Sequence, residues 1–347
     1  MAKKLFDFCI GNPPYNADFN DSGENGNFAK PVYNDFMDAA NEVANKVELI
    51  HPARFLFNAG STPKAWNSKM LNDTHFKVLK YEEDASKVFS NTEIKGGVAI
   101  TYHDDTQEYG AIQVFTKYKE LNSIMKKAAP SNDSESITSI IFTQNRFDLE
   151  ALYKDHPEVK SCIGSDGRDR RFRNNTFDKV PIFTEKRISE SDIAVIGVIK
   201  NKRNWRYIEE KYVDHKHENL EYFKVIVPRA NGKGIISDVL SSPIVINPKQ
   251  AYTQTFIGIG AFESSKDAEN ALKYIKSKFA RALLSILKVD QHNEKDTWKK
   301  IPLQDFTDNS DIDWSKSIHE IDLQLYRKYR LSVEEINFIE ENVKEMI

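Results

Sequence analysis

This sequence of 347 residues lacks the features that define several broad classes of protein. Its two cysteines, Cys9 and Cys162, do not have the paired spacing of zinc sites or redox motifs, so we expect reduced thiols and exclude a disulfide framework. No stretch reaches the run of about 18 apolar residues that a membrane span needs, and the first residues lack the apolar region and cleavage site of a signal peptide. We therefore expect a soluble protein of the cytoplasm.

The chain also lacks a large net charge, but its charges are distributed unevenly. The formal net charge is −3. Residues 160–233 carry 17 Lys and Arg against 11 Asp and Glu, a balance of +6, whereas the remainder carries 32 against 41, a balance of −9. A basic middle section within an acidic chain is typical of a surface that contacts nucleic acid.

Strand-like and helix-like segments alternate in the first part of the chain. Helical spacing predicts one helix that begins near Pro31 and another over residues 54–71, interrupted near Pro63. Apolar runs predict strands at residues 5–10, 46–52, 75–84, 95–104 and 110–118. This order predicts an α/β fold with a mostly parallel sheet covered by helices, in which the last strands form an antiparallel pair.

A small and polar segment at residues 128–138 marks the predicted domain boundary. Beyond it, short strand-like runs such as IAVIGVI and FKVIVPRA mix with helical stretches such as residues 268–287, which predicts a mixed α+β region. Helical spacing continues through residues 318–347. We therefore divide the chain into three predicted parts, residues 1–127, 128–300 and 301–347.

The most informative stretch is FDFCIGNPPYN, residues 6–16. Prolines fix φ and donate no backbone hydrogen bond, so two of them directly after a strand predict a stiff turn at its carboxyl end. Ligands of open α/β sheets bind outside the carboxyl ends of the strands. The Asn12 side chain and the Pro13 carbonyl would be fixed acceptors there, and two acceptors suit an amino group.

These residues resemble a known family. GNPPYN is similar to the catalytic Asn-Pro-Pro-Tyr motif of S-adenosylmethionine-dependent amino-methyltransferases, in particular the DNA adenine (N6) methyltransferases. VELIHPARFLFNAG, VLKYEEDASKVF, EIKGGVAITYHD, WKKIPLQDF and DIDWSKSIHEIDLQLYRKY resemble later segments of the methylases of bacterial restriction-modification systems. The tetrapeptide is less specific alone, because protein glutamine methyltransferases that act on release factors also carry it.

The resemblance implies a fold and a set of roles. Residues 1–127 would be the C-terminal half of a methyltransferase catalytic domain with a partial Rossmann-like sheet, residues 128–300 a DNA target-recognition domain, and residues 301–347 a helical tail. Asn12, Pro13, Pro14 and Tyr15 would form the catalytic turn, in which Asn12 and Pro13 hold the adenine amine. Tyr15 would stack on a flipped base, and we prefer Tyr102 to Phe89 as the second stacking aromatic.

One part of the family pattern is missing. Such enzymes hold S-adenosylmethionine with a glycine-rich loop and an acidic strand end ahead of the Asn-Pro-Pro-Tyr strand, and this chain begins at that strand. GIGAF, residues 258–262, is a poor substitute because no acidic strand end follows it. We therefore expect an incomplete cofactor site, and either a partner polypeptide that supplies the missing half or self-association.

The basic middle section contains three clusters that mix arginine, lysine, asparagine and aromatic residues, which suits contacts to double-stranded DNA. The alternative is a solvated face. The predicted DNA-binding residues are Arg168, Arg170, Arg171, Arg173, Lys202, Arg203, Arg206, Arg229 and Lys233. We propose no metal site, because His215 and His217 have no third ligand candidate nearby and are expected to be solvated.

Three functions remain open at this point. The first is the catalytic-motif and target-recognition portion of a site-specific DNA adenine methyltransferase of a restriction-modification system. The second is a protein glutamine methyltransferase, which is disfavoured because such enzymes need no basic domain of this size. The third is a non-catalytic DNA-recognition subunit or an inactive remnant.

Overall fold

The computed structural model describes residues 4–17, 30–90, 94–132, 135–163, 170–230, 232, 235–288 and 291–346. Two of the predicted DNA-binding residues, Arg168 and Lys233, lie outside these ranges. Contacts between Cα atoms divide the chain into two units, residues 1–119 and residues 120–347. The assignment of functional domains to residues 1–127, 128–300 and 301–347 stays a prediction.

A four-stranded sheet organises the first unit, with the strand order β1-β2-β4-β3. β1 and β2 are parallel, whereas β4 is antiparallel to both of its neighbours, so β1, β2 and β3 all run in one direction. No described strand pairs with the outer edge of β1. The strands are β1 (Phe6–Gly11), β2 (Ala44–Pro52), β3 (Phe76–Glu82) and β4 (Val98–Asp104).

Two helices and a short 3₁₀ segment cover one face of this sheet. The segments are α1 (Tyr33–Val43), the 3₁₀ turn Arg54–Phe57 and α2 (Lys64–Asn72). β2 alternates buried and half-buried residues, so Val47 and Leu49 point into the core formed with Phe55 and Trp66. Pro63 precedes α2, which agrees with the predicted interruption of this helical stretch.

Two details of the predicted sheet are wrong. β4 lies between β2 and β3, so only one adjacent pair in this sheet is parallel. Residues 110–118 contain no strand, because Gln113 has a φ of 56° and donates its backbone N–H to the Leu71 carbonyl at 2.7 Å. The neighbouring Ile112 and Phe115 pack on the core instead of entering the sheet. Of the last three predicted strands, residues 75–84 and 95–104 form the antiparallel pair β3 and β4, whereas residues 110–118 take no part in it.

The second unit contains two separate sheets, which agrees with a mixed α/β architecture. The first has the order β10-β6-β7 and the second the order β5-β11-β8-β9. The second is entirely antiparallel, whereas β10 and β6 are parallel. Their strands are β5 (Ile141–Phe142), β6 (Ile193–Ile199), β7 (Lys202–Ile208), β8 (Phe223–Pro228), β9 (Ile244–Ile246), β10 (Gln250–Tyr252) and β11 (Phe256–Phe262).

The helices of this unit are α3 (Lys119–Ala128), α4 (Leu149–Asp155), α5 (Thr176–Lys179), α6 (Ser265–Lys276), α7 (Lys278–Leu287), α8 (Ile318–Lys328) and α9 (Val333–Asn342). Residues 268–287 form two helices, because Ser277 is extended with ψ 149° and its side chain caps α7. The buried carboxylate of Asp322 also accepts the N–H groups of Lys278 and Phe279 at 3.0 and 2.9 Å. Burial nevertheless raises the pKa of Asp322 to about 6. None of the described helices is both long and apolar enough to cross a membrane.

Candidate active site

The Asn-Pro-Pro-Tyr turn leaves the sheet where two parallel strands end side by side. Gly11, the last residue of β1, is in register with Leu49 of β2, so the turn lies at the carboxyl edge of this parallel pair. Asn12 is exposed, and among the described residues no group hydrogen-bonds its side chain or the Pro13 carbonyl. The turn therefore presents two acceptors, on consecutive residues, that no described group uses.

A pair of backbone hydrogen bonds fixes the far end of the turn. The N–H of Val32 donates to the Tyr15 carbonyl at 3.0 Å, and the N–H of Ala17 donates to the Lys30 carbonyl at 2.9 Å. Asn16 and Pro31 form the β-bridge between them. This clasp, made by residues 15–17 and 30–32, anchors Tyr15 to the chain segment that leads into α1.

Tyr15 forms an aromatic pair with Phe89. Their ring centroids lie 6.4 Å apart with an interplanar angle of 70°, an edge-to-face arrangement. Burial raises the pKa of the Tyr15 hydroxyl, and that oxygen has no hydrogen-bond partner within the described part of the chain. The side chain is thus neutral and acts as an aromatic surface.

Tyr102 lies elsewhere on the sheet. It is in register with Glu48 of β2 and Lys77 of β3, and its hydroxyl donates to the Asp104 carboxylate at 3.3 Å. The ammonium of Lys77 lies 5.2 Å from its ring centroid. The structure therefore places Phe89, and not the preferred Tyr102, beside Tyr15. The position of Phe89 in the chain could have indicated this, because it follows β3, which runs in the same direction as β1 and β2 and ends at the same edge of the sheet.

His51 lies beneath this edge in the core and is fully buried. Its Nε2 lies 2.7 Å from the Thr101 hydroxyl and its Nδ1 lies 3.1 Å from the Pro52 carbonyl. The ring stacks on Tyr33 at 5.8 Å. Burial lowers the pKa of His51 to about 4, so the imidazole is neutral near pH 7, and its contact with the Pro52 carbonyl lies at the end of β2.

Most of the described basic residues in the predicted DNA-binding set already have partners. Arg170 pairs with Asp214 at 2.9 Å, and Arg206 pairs with Glu185 at 3.1 Å. Arg229 makes two hydrogen bonds to the Glu294 carboxylate. These pairs show that the positive charge counted along residues 160–233 is partly neutralised by carboxylates.

Arg203 is also engaged. It donates to the Ser242 carbonyl and lies 5.7 Å from the centroid of the Phe256 ring, and burial lowers its pKa. Lys202, by contrast, is exposed and has no ion pair with a described residue.

A small cavity provides the clearest cationic feature of the second unit. It has a volume of about 110 Å³, and its described lining combines basic, polar and apolar side chains and contains no carboxylate. Arg171 has no ion pair among the described groups, whereas Arg173 has a polar interaction. The lining includes Cys162, Arg171, Arg173, Asn175, Thr176 and Lys179.

The remaining sequence candidates form no site. His215 contacts Glu221 at 3.1 Å, but His217 is buried with its Nε2 3.1 Å from the Thr143 carbonyl, so the expectation that it is solvated is wrong. Burial also lowers the pKa of His217. Within the ranges described above, no group of three or more His, Cys, Asp and Glu could hold a metal ion. Residues 258–262 lie inside β11, where Gly258 and Gly260 are buried, and not in a loop.

A proline-stiffened turn with free acceptors, placed beside an aromatic pair at the edge of an α/β sheet, is suited to a planar ligand that carries an amine. Residues 1–89 match the sequence model of the family described as Eco57I restriction-modification methylase. An uncharacterized adenine-specific methylase of Mycoplasma pneumoniae (strain ATCC 29342 / M129 / Subtype 1) is 34% identical over 116 residues. The chain thus resembles adenine methyltransferases of restriction-modification systems, as its motifs predicted.

These similarities cover only part of each protein. The match to the Mycoplasma methylase includes 33% of this chain and 27% of that protein, so the chain spans about a quarter of this relative. The DNA complex of the Type IIL restriction-modification enzyme MmeI aligns with 97% of this chain and 56% of that enzyme, at 9% identity and a TM-score of 0.31. The ATP-dependent Type ISP enzyme LlaBIII bound to DNA aligns with 85% and 28%, at 9% identity and a TM-score of 0.23. At these scores neither structure defines a common fold.

Proposed function

We propose that this chain is the catalytic-motif and target-recognition portion of a site-specific DNA adenine methyltransferase. The observation that carries the proposal is the turn itself. Its Asn12 side chain and Pro13 carbonyl have no hydrogen-bond partner among the described residues, and a methylase family matches the residues around them. The reaction is methyl transfer to the exocyclic amine of adenine. The Mycoplasma relative, named as an adenine-specific methylase, supports the same substrate.

The turn acts on the amine through hydrogen bonds. The lone pair of the adenine amine is delocalised into the ring, which makes it a weak nucleophile. Two acceptors that hold both N–H groups favour the pyramidal amine, and their dipoles stabilise the positive charge that develops on nitrogen. Asn12 and Pro13 supply these acceptors, and the prolines hold them in place before the substrate arrives.

The aromatic pair holds the base. An adenine inside a duplex cannot reach the turn, so the enzyme must flip it out of the helix. Tyr15 then offers a flat apolar surface, and Phe89 is the second aromatic beside it. This choice replaces Tyr102, whose ring contacts Lys77 on the sheet.

The methyl donor is S-adenosylmethionine, and the described residues do not provide a complete site for it. No described strand pairs with the outer edge of β1, and the side chains of Phe6, Phe8 and Ile10 on one face of that strand are 57%, 64% and 76% exposed. An apolar edge strand of this kind binds another strand readily. We propose that a polypeptide carrying the cofactor half, or a second copy of the chain, covers this edge.

The second unit would then bind double-stranded DNA around the target. Arg171 and Lys202 support this role, because they are exposed and form no ion pair with a described carboxylate, and such cations can bind phosphates. A non-catalytic recognition subunit or an inactive remnant is the alternative, since the exposed edge of β1 leaves the cofactor site incomplete. A protein glutamine methyltransferase is a weaker alternative.

Transfer of a labelled methyl group separates these functions. The purified chain is mixed with S-adenosylmethionine that carries an isotopic methyl group, with DNA or a release-factor peptide, and with or without the product of the neighbouring gene. Label in adenine N6 supports the proposal. Label in the peptide glutamine, or DNA binding without transfer in every combination, would contradict it and favour one of the alternatives.

A further inference from the structure

Arg54 occupies an unusual position at the edge that carries the candidate active site. It is the single arginine among residues 1–119 and begins the 3₁₀ turn directly after β2. β2 is parallel to β1, and the Ala53 N–H donates to the Gly97 carbonyl at 3.0 Å. Arg54 therefore lies at the same edge of the sheet as the Asn-Pro-Pro-Tyr turn and the segment that carries Phe89.

Two glycines form a cradle for the stem of Arg54. Gly60 has a φ of 89° and Gly96 has a φ of 87°, both in the region that favours glycine. A Cβ at Gly96 would lie 2.5 Å from the Arg54 Cγ, and a Cβ at Gly60 would lie 3.2 Å from the Arg54 Cβ. The chain thus keeps side chains away from Arg54 on two sides and fixes the direction of its stem.

Arg54 is exposed, and no described carboxylate or carbonyl accepts a hydrogen bond from its guanidinium, although its charge interacts with the Tyr33 hydroxyl. By contrast, four arginines of the second unit have a carboxylate or carbonyl partner, namely Arg170, Arg203, Arg206 and Arg229. A planar guanidinium with five N–H donors matches a phosphate through paired hydrogen bonds, which a lysine cannot reproduce. A fixed stem with a free guanidinium is the arrangement expected of a binding residue.

We propose that Arg54 binds a backbone phosphate of DNA next to the adenine held between the turn and the Tyr15–Phe89 pair. This inference rests on the proposed function and assigns to Arg54 a positioning role that the sequence motifs do not indicate. A phosphate held at this edge would fix the sugar of the flipped nucleotide, so that its base enters against Tyr15. Arg54 would add affinity for extruded adenine without touching the amine.

The test measures binding of the full chain to a short DNA duplex that carries one unpaired adenine, over a series of salt concentrations. Arg54→Gln should lower the affinity for DNA about tenfold at low salt. It should also reduce the salt slope, which is the slope of log affinity against log salt concentration, by about 0.9, the value for one phosphate contact. Arg54→Lys should keep most of the slope and recover only part of the affinity. Lys69→Gln is the matched control, because Lys69 is an exposed cation of the same unit that pairs with Asp38 at 2.9 Å.

A second comparison locates the phosphate. Neutral methylphosphonates replace, one at a time, the phosphates on either side of the unpaired adenine. One of these replacements should lower the DNA affinity of the parent chain about tenfold and leave the affinity of the Arg54→Gln variant unchanged. The replaced phosphate is then the one that Arg54 contacts. Thermal unfolding of each variant shows that the exposed side chain has been changed without loss of the fold.

The outcomes distinguish this inference from the function on which it rests. A parent chain that binds DNA with the same affinity and salt slope as Arg54→Gln overturns the role of Arg54 and leaves the proposed function standing. If every methylphosphonate lowers the affinities of parent and variant equally, the role of Arg54 is also overturned and the proposed function is left standing. A parent chain that binds none of these duplexes overturns the proposed function and this inference together.

Discussion

The candidate site in the first unit and the predicted DNA-binding arginines in the second unit differ in whether their polar side chains have partners. In residues 1–119, the Asn12 side chain and the Arg54 guanidinium have no described hydrogen-bond partner, although glycines and prolines hold the backbone around them. In residues 120–347, Arg170, Arg206 and Arg229 all pair with carboxylates. The difference concerns these side chains and not all charges of the units, because lysines of the first unit, such as Lys69 with Asp38, also form ion pairs.

This difference shows that a count of charges along the sequence does not give the charge that a ligand meets. An exposed ion pair contributes only about 0–1 kcal/mol, so a paired arginine can still exchange its carboxylate for a phosphate. Such an exchange returns less binding energy than a contact made by a free cation, because the original pair must first be broken. The four expectations below test this comparison, in order of decreasing effect.

Asn12→Ala should have the largest effect. In the assembled complex that methylates DNA, loss of one acceptor of the amine should lower turnover by about 10²–10³-fold while DNA affinity stays nearly constant, because the contact strengthens in the transition state. Single-turnover methylation with labelled S-adenosylmethionine measures the change. Asn16→Ala, an exposed asparagine of the same segment, is the control, and turnover of Asn12→Ala within a few-fold of this control would remove Asn12 from the mechanism.

Phe89→Ala should weaken binding of DNA that carries an unpaired adenine by about 1–3 kcal/mol, the contribution of one base–aromatic contact. Tyr102→Ala should change it much less, because that ring lies on the sheet beside Lys77. Equilibrium titrations on duplexes with and without the unpaired adenine separate stacking from general DNA affinity. A larger loss of affinity for Tyr102→Ala than for Phe89→Ala would favour Tyr102 as the second stacking aromatic, as the sequence analysis preferred.

His51 of the first unit and Asp322 of the second should contribute to the acid response of stability in opposite directions, while the lowered pKa of His217 acts in the same direction as that of His51. The pKa of His51 is lowered to about 4, so the unfolded chain binds more protons between pH 6.5 and 4 and the stability of the first unit falls as the pH falls through this range. From pH 7 to pH 5 the loss is about 2 kcal/mol. The pKa of Asp322 is raised to about 6, so its contribution in the second unit is greatest below pH 4 and is lost as the pH rises to 6.

Pulse proteolysis in urea at pH 5 and pH 7 measures this response, with cleavage assigned to each unit by mass spectrometry. His51→Gln should flatten the pH dependence of the first unit, and Asp322→Asn should flatten that of the second. Parallel responses of both units in the unmodified chain would show that other groups dominate the acid sensitivity.

The smallest effect is expected from the arginines of the second unit. Arg171→Gln should reduce the salt slope of DNA binding by about 0.9, because Arg171 lines a cavity in which no described residue supplies a carboxylate. Arg206→Gln should reduce it less, since that side chain already pairs with Glu185. Joint neutralisation of Arg170, Arg171 and Arg173 should reduce the salt slope only slightly more than Arg171→Gln does alone.

Cys162 offers an independent measurement at the same place, because it lines this cavity. In a Cys9→Ser background, bound DNA should slow the reaction of the Cys162 thiol with a neutral alkylating reagent. An unchanged rate together with an unchanged salt slope would assign the Arg171 cluster to a solvated surface.

Local features of this fold could be predicted from the sequence. The apolar runs identify β1 to β4, and the two prolines identify the turn, because strand propensity and the missing proline donors act over a few residues. The insertion of β4 between β2 and β3 could not be predicted, since strand order depends on packing between distant segments. Residues 110–118 show the same limit, because their apolar residues pack on the core without forming a strand.

The candidate site also has one part that local sequence predicts and one part that depends on contacts between distant residues. Asn12 and Tyr15 follow from one short motif, but the choice of Phe89 depends on a connection that returns to the turn through space. The ion pairs of the second unit join residues as far apart as Arg229 and Glu294, which are 65 positions apart. Sequence counting therefore identified the basic residues without showing which of them are neutralised.

The clasp formed by residues 15–17 and 30–32 has a practical consequence for engineering. Its two backbone hydrogen bonds fix Ala17 next to Lys30, so residues inserted between these two positions add little loop-closure entropy, which grows only slowly with chain length. A fluorophore-binding tag or an affinity epitope spliced in at this position would begin and end at fixed points. It would report on substrate entry from within a few residues of Tyr15 while the acceptors of the turn keep their places.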